Sequence, residues 1–135
     1  MILPHTGGCL CGALRFVALA EPQVVDYCHC HACRRSSGAP VLAWASFDAA
    51  SFRYTRGVPA QFASSDHGRR DFCAACGTQL LFRTTRQPGF VDVAIGALDD
   101  PARCVPTLHI HCAEAVPWLA IRDGLPRHDG PGPGD

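Results

Sequence analysis

Apolar residues in this chain fall in many short runs, most of them alternating with polar neighbours, and Gly, Pro, Ser or Asp separates one run from the next. Alternation at period two puts successive side chains on opposite faces of a strand, so the pattern predicts strands rather than helices. Between Cys9 and Ala20, Leu14, Phe16 and Ala18 share one parity and Ala13, Arg15 and Val17 the other, which predicts a first strand over that stretch. Val24-Val25-Asp26-Tyr27-Cys28 predicts a second, with Pro22 marking a turn or edge before it. Residues 41–47 predict a third, since Pro40 and the aromatic spacing favour strand over helix. Shorter runs follow at Phe52-Arg53-Tyr54, Ala60-Gln61-Phe62, Arg70-Asp71-Phe72, Leu80-Leu81-Phe82-Arg83, at residues 90–95 and at Thr107-Leu108-His109-Ile110-His111. Their number predicts a mainly β fold: a single small domain of short antiparallel strands. The Gly- and Pro-rich end, residues 129–135, has little side chain to bury and is expected to be a disordered tail.

Length agrees with one domain, because 135 residues build one hydrophobic core of ordinary size. The twelve basic residues are all Arg and balance twelve carboxylates. With no Lys and no net charge, nothing global attracts a polyanion, so no nucleic-acid partner is expected. Residues 1–5 show no basic segment leading into an apolar run, which predicts neither a signal peptide nor a membrane span. A cytoplasmic location is the resulting expectation.

The cysteines change the picture most. There are nine, an odd number that disulfides cannot use up, and in a reducing compartment clustered thiols point to metal binding or catalysis. Cys9 and Cys11 stand two apart, on one face if the segment is a strand, and their expected partners are Cys73 and Cys76. Ala74-Ala75 would close a tight turn between the latter two, with Gly77 suited to the backbone such a turn needs. Four thiolates form a closed tetrahedral zinc site with no place for substrate, hence a structural one. Cys28, Cys30 and Cys33 form a second set that converges if the chain turns after Cys30. Three protein ligands leave a position open for water or a substrate sulfur, as catalysis needs. Zinc is the expected metal at both, two per chain, with an iron–sulfur cluster as the alternative for thiolate donors.

Other reactive side chains carry plainer readings. A thioredoxin-like role for either C-x-x-C pair is disfavoured because each pair is extended by a C-x-C. His29 and His31 have the opposite parity to Cys28 and Cys30, which favours supporting or surface positions over ligation. Cys104 and Cys112 lack partners at metal-binding spacing and read as small buried apolar residues. His109 and His111 read as polar positions on a half-buried strand. Arg34 and Arg35 follow the three-cysteine set, and Arg69 and Arg70 precede the Cys73–Cys76 pair, so either couple could clamp a substrate carboxylate or simply face solvent.

Taken together, Gly7-Gly8-Cys9-Leu10-Cys11-Gly12-Ala13, then Cys28-His29-Cys30-His31-Ala32-Cys33-Arg34-Arg35-Ser36-Ser37-Gly38-Ala39, then Arg70-Asp71-Phe72-Cys73-Ala74-Ala75-Cys76-Gly77-Thr78, and finally Leu98-Asp99-Asp100-Pro101 with His109 and Pro117-Trp118 closely resemble the glutathione-dependent formaldehyde-activating enzyme family. The resemblance covers residues 5–128 and implies one zinc-binding domain over that stretch; the family also contains centromere protein V. The resemblance implies a tent-like β fold with two zinc sites, Cys9, Cys11, Cys73 and Cys76 matching the structural set and Cys28, Cys30 and Cys33 the catalytic or substrate-proximal one. It further implies a carbon–sulfur lyase acting on a small thiol or thiol–aldehyde adduct, such as a glutathione adduct. The alternative is a non-catalytic, zinc-stabilised protein-binding module, in which His29, His31 or Cys112 would complete the second tetrahedron.

Overall fold

Ten strands and one short helix follow each other along residues 4–133, which the computed structural model describes: β1 (His5–Gly8), β2 (Arg15–Ala18), β3 (Val24–Cys28), α1 (His31–Ser37), β4 (Leu42–Asp48), β5 (Phe52–Arg56), β6 (Ala60–Ala63), β7 (Gly68–Phe72), β8 (Gln79–Thr84), β9 (Phe90–Ala94) and β10 (Leu108–Ile110). They form two sheets, a three-stranded one in the order β1-β2-β5 and a seven-stranded one in the order β10-β3-β4-β9-β8-β7-β6. Every pairing is antiparallel except β10 on β3, where His109 lies opposite Tyr27 and Ile110 opposite Cys28. The mainly β expectation therefore stands, with one parallel pair added at the sheet edge.

The apolar runs explain the layering, although burial does not alternate strictly along them: neighbours Leu80 and Leu81 are both fully buried. Phe16 and Ala18 of β2 and Ala45 and Phe47 of β4 are buried in one core with Leu80, Leu81, Val91, Val93, Ile95 and Leu98. Burying a side chain the size of Phe47 or Leu80 contributes roughly 1.5–3 kcal/mol, and these residues are sealed from water. Cys9 and Cys73 lie in the same core, so one cysteine group is built into its rim. A second, smaller apolar cluster gathers Cys28, Cys33, Trp44 and Ala94, with Leu42, Phe82 and Ile110 packed on it.

Two local expectations are corrected. The strand predicted from Cys9 to Ala20 is confined to Arg15–Ala18, and residues 9–14 form the turn joining it to β1. The Cys9 amide donates to the Leu14 carbonyl (3.1 Å) and the Gly12 amide to that of Cys9 (3.1 Å), which folds Cys11 back toward Cys9. The two thiols meet on a turn, not on one face of a strand. β1 itself escaped the pattern because its buried positions are His5 and Gly7. Helix α1 was also unforeseen: seven residues are too few for a visible period, and its N-cap is Cys30, whose sulfur accepts from the Cys33 amide (3.3 Å) where Ser or Asp would be usual.

The segment expected as a tail is described as far as Pro133, while Gly134 and Asp135 lie outside the described residues. The carbonyls of His128, Asp129 and Gly130 accept hydrogen bonds from Cys112, Ala113 and His111, and Gly132 lies against Ile110. Among the described residues, no helix is long and apolar enough to cross a membrane.

Candidate metal centres

Two turns build the first centre. One is the β1–β2 turn with Cys9 and Cys11, and the other follows β7 and carries Cys73 and Cys76. The second turn is closed by the Cys73 amide donating to the Thr78 carbonyl (2.9 Å) and the Gly77 amide to the Cys73 carbonyl (2.8 Å). Gly12 and Gly77 occupy equivalent places in the two turns at φ of 80° and 81°, a left-handed backbone that costs a residue with a Cβ about 1–2 kcal/mol. A further bond, from the Leu10 amide to Thr78 Oγ1 (3.1 Å), joins the turns. All four sulfurs then lie within 4.8 Å of one another. Backbone amides point at two of them, Leu14 N–H at Cys9 Sγ (3.2 Å) and Cys76 N–H at Cys73 Sγ (3.4 Å). Hydrogen bonds from the side chain and backbone of Thr78 pull the Cys76 thiol down to about 5. Amide and hydroxyl donors aimed at sulfur favour the thiolate, the form that binds metal.

The second centre forms where β3 gives way to α1. Cys28 ends the strand, Cys30 caps the helix and Cys33 sits in its first turn, so one sharp change of direction brings three sulfurs within 4.8 Å of one another. Among the described residues, no fourth Cys, His or carboxylate joins them. All nine cysteines are free. Within this group, hydrogen bonding to Cys28 and Cys33 pulls Cys30 down to about 2, while the bonds to Cys30 and Cys33 push Cys28 above the ordinary thiol range. The convergence of three sulfurs, with an amide donor on Cys30, suits a soft or borderline cation. Both groups are thus able to coordinate a metal ion, and the donor sets fit the ions expected from the spacing.

The histidines have other partners. His29 turns to His109 (Nε2 to Nδ1, 2.8 Å), and His109 reaches Asp123 (2.9 Å) and stacks on Tyr27 with ring centroids 4.8 Å apart. Burial lowers the His29 pKa, and the neighbouring His109 adds to it. His31 is exposed and pairs with Glu114 (3.1 Å), which holds that carboxyl below its usual range. Cys104 is buried beside His5 (3.8 Å), and Cys112 is half-buried; neither joins a thiol group.

The arginines divide unexpectedly. Arg69 donates to the Ser65 carbonyl (2.9 Å) and Ser65 Oγ accepts from the Gly68 amide (2.9 Å), so Arg69 at the start of β7 is tied to the β6–β7 turn. Arg70 precedes Cys73 in sequence, yet its guanidinium lies on the other centre, 3.9 Å from Cys33 Sγ through both terminal nitrogens. No local signal reveals this, because it depends on how β7 is placed against α1. Arg34 is half-buried on the helix and Arg35 is exposed.

A cleft of about 570 Å³ opens on Cys9 of the first centre and reaches the C-terminal end of α1 at Ser36 and Ser37, without the three thiols of the second centre on its lining. Gly77 and Thr78 of the first centre form part of its lining, with Ser36, Ser37, Leu42 and Ala94 from the surroundings of the second. Arg15 and Asp99, also on its lining, form an ion pair, and hydrogen bonds from Arg15 and then Thr6 hold the Asp99 carboxyl below its usual range.

Comparison with known proteins agrees with this arrangement. A lyase of Schizosaccharomyces pombe described as uncharacterized is 33% identical over 90 residues, 65% of each chain, so that this chain spans less than two thirds of that relative. A protein of Halomonas elongata bearing the name "Putative glutathione-dependent formaldehyde-activating enzyme" is 29% identical over 124 residues, covering 85% of this chain and 79% of its own. The crystal structure of a Rhodobacter sphaeroides protein shares the fold, with a TM-score of 0.52 at 21% identity over 91% of this chain and 98% of that one. The family model for the glutathione-dependent formaldehyde-activating enzyme spans residues 4–114, a stretch that holds both thiol groups, and the chain belongs to that family.

Proposed function

We propose that the protein is a zinc-dependent carbon–sulfur lyase that makes or breaks the bond between a small thiol and an aldehyde carbon. The observation that carries this reading is the second centre: three converging thiols with no fourth protein donor among the described residues. In this reading Cys9, Cys11, Cys73 and Cys76 hold a structural zinc, and Cys28, Cys30 and Cys33 hold the one that takes part in chemistry. A zinc ion with three thiolate ligands supplies a Lewis acid that can accept the sulfur of a substrate and favour its thiolate.

The chain's own residues do the rest. The strand-to-helix turn fixes the three sulfurs relative to one another, and the Cys33 amide holds Cys30 in place. Trp44, Phe82 and Ile110 keep the buried side of the centre dry, which strengthens the interactions made there. The cleft beside Ser36, Ser37 and Leu42 offers a place for the remainder of a small adduct such as one of glutathione. Holding sulfur and carbonyl carbon together makes addition or its reversal effectively unimolecular.

The test is direct. Magnetisation-exchange spectroscopy of formaldehyde with glutathione, cysteine and 2-mercaptoethanol should show faster exchange in the presence of the purified protein. Metal analysis should give two zinc ions per chain. Unchanged exchange across all three thiols, with absorption spectroscopy showing four permanent protein ligands at both ions, would favour a binding module without turnover.

A further inference from the structure

Arg70 is a charged side chain in an unusual place. It is only 7% exposed, its guanidinium stacks on Phe82 at 4.8 Å from the ring centroid, and its Nε is buried with no partner. Nη1 donates to Ser36 Oγ (3.2 Å), and the Gln79 amide, oriented by its neighbours, accepts from the same nitrogen (3.2 Å). Among the described residues no carboxylate forms an ion pair with it. The adjacent Asp71 alternates to the far side of β7, where Tyr54 (2.8 Å), Gln61 (2.9 Å) and Arg83 (3.3 Å) bind it.

A buried cation without a counter-ion is strongly unfavourable, so something must supply the negative charge. Among the described residues, the only group of suitable chemistry in contact is Cys33 Sγ, 3.9 Å from both terminal nitrogens. Three thiolates around a divalent ion leave one net negative charge in an apolar surrounding, and one guanidinium cancels it. The four-thiol centre needs no such partner on the protein, since Cys11 opens it to water.

We propose that Arg70 is the counter-charge of the three-thiol centre, a positioning residue that holds the Cys33 thiolate and lets the neutralised site accept a further anionic sulfur. This rests on the reading that Cys28, Cys30 and Cys33 hold a divalent ion. By the same balance the site prefers a divalent to a monovalent ion, for which two negative charges would face a single guanidinium.

The experiment uses the full chain loaded with Co(II), with Arg70→Met and Arg70→Lys beside the parent. Chelator competition at one fixed pH reads the affinity of each site, and the sulfur-to-cobalt absorption reads binding of 2-mercaptoethanol. Arg70→Met should weaken one metal site and thiol binding at least tenfold while leaving the other site unchanged, and Arg70→Lys should recover most of the loss. Met and Lys variants that are equally weak would assign Arg70 to packing and overturn the proposal, as would a Met variant indistinguishable from the parent. A parent that binds one cobalt per chain would remove the underlying reading and the proposal with it. Should Arg70→Met fail to fold, a sign test remains. If Cys33 is the counter-ion, Cys33→Ala strands a buried cation, so Cys33→Ala/Arg70→Lys should melt no higher than Cys33→Ala, while Cys33→Ala/Arg70→Gln should melt above it. A lower melting point for the Gln double variant overturns the assignment.

Discussion

Replacing Cys73 by Ser separates the two centres. The first centre joins turns 62 residues apart, Cys11 to Cys73, whereas the second closes only the short segment from Cys28 to Cys33. If a metal cross-link restrains the unfolded chain as a disulfide does, a 62-residue loop corresponds to about 4 kcal/mol and a five-residue loop to about 2 kcal/mol. Near the melting temperature a 135-residue protein has an unfolding entropy of roughly 0.28 kcal/mol per kelvin, so these costs become shifts of about 14 °C and about 7 °C. Cys73 is also buried in the main core, where a stranded hydroxyl adds to its cost, while Cys30 is half-buried at the surface of the smaller cluster. Cys73→Ser should therefore lose one metal equivalent and melt about twice as far below the parent as Cys30→Ser, which should lose the other equivalent and the thiol-exchange activity. Metal analysis with calorimetry on both variants is the assay. Equal shifts, or a Cys73→Ser protein that keeps its metal and its melting temperature, would refute the division into a fold-holding and a reactive centre.

Gly77→Ala should cost about 1–2 kcal/mol in a urea melt through backbone strain alone, since a Cβ there meets nothing within 4 Å. Leu80→Ala, at a fully buried position, should cost about 2–5 kcal/mol by the same measurement while leaving both metals bound. The Asp99 carboxyl is held below its unfolded value by Arg15 and Thr6, so its contribution is full above about pH 4 and is lost as the pH falls through the lower folded value. The urea midpoints of the parent and Asp99→Asn should accordingly differ at neutral pH and converge in acid; the difference is small because the pair is partly exposed, and a gap that widens on acidification would contradict the sign.

Much of this protein is legible in its residues taken in order. Short apolar runs cut off by Gly, Pro, Ser or Asp, such as those of β4, β8 and β9, mark strands, and the Cys28–Cys33 and Cys73–Cys76 spacings mark turns, whereas the Cys9–Cys11 turn reads in sequence as strand because its apolar neighbours continue the pattern of β2. The quoted motifs were enough to suggest the family, which the family model matches over residues 4–114. Short elements escaped wherever a side chain acted out of type: His5 and Gly7 as the buried face of β1, and a cysteine as the cap of α1. What the tertiary structure alone decided is who stands beside whom across long separations. Arg70 reads, by position, as a neighbour of Cys73, yet the strand alternation that sends Asp71 toward Tyr54 sends Arg70 to Cys33, 37 residues earlier in the chain. His29 likewise sits between two thiols in sequence and bonds instead to His109, 80 residues away, because the parallel pairing of β10 with β3 sets those rings side by side. Local chemistry is written residue by residue, whereas charge compensation is a property of distance, and distance is set by the packing of the whole chain.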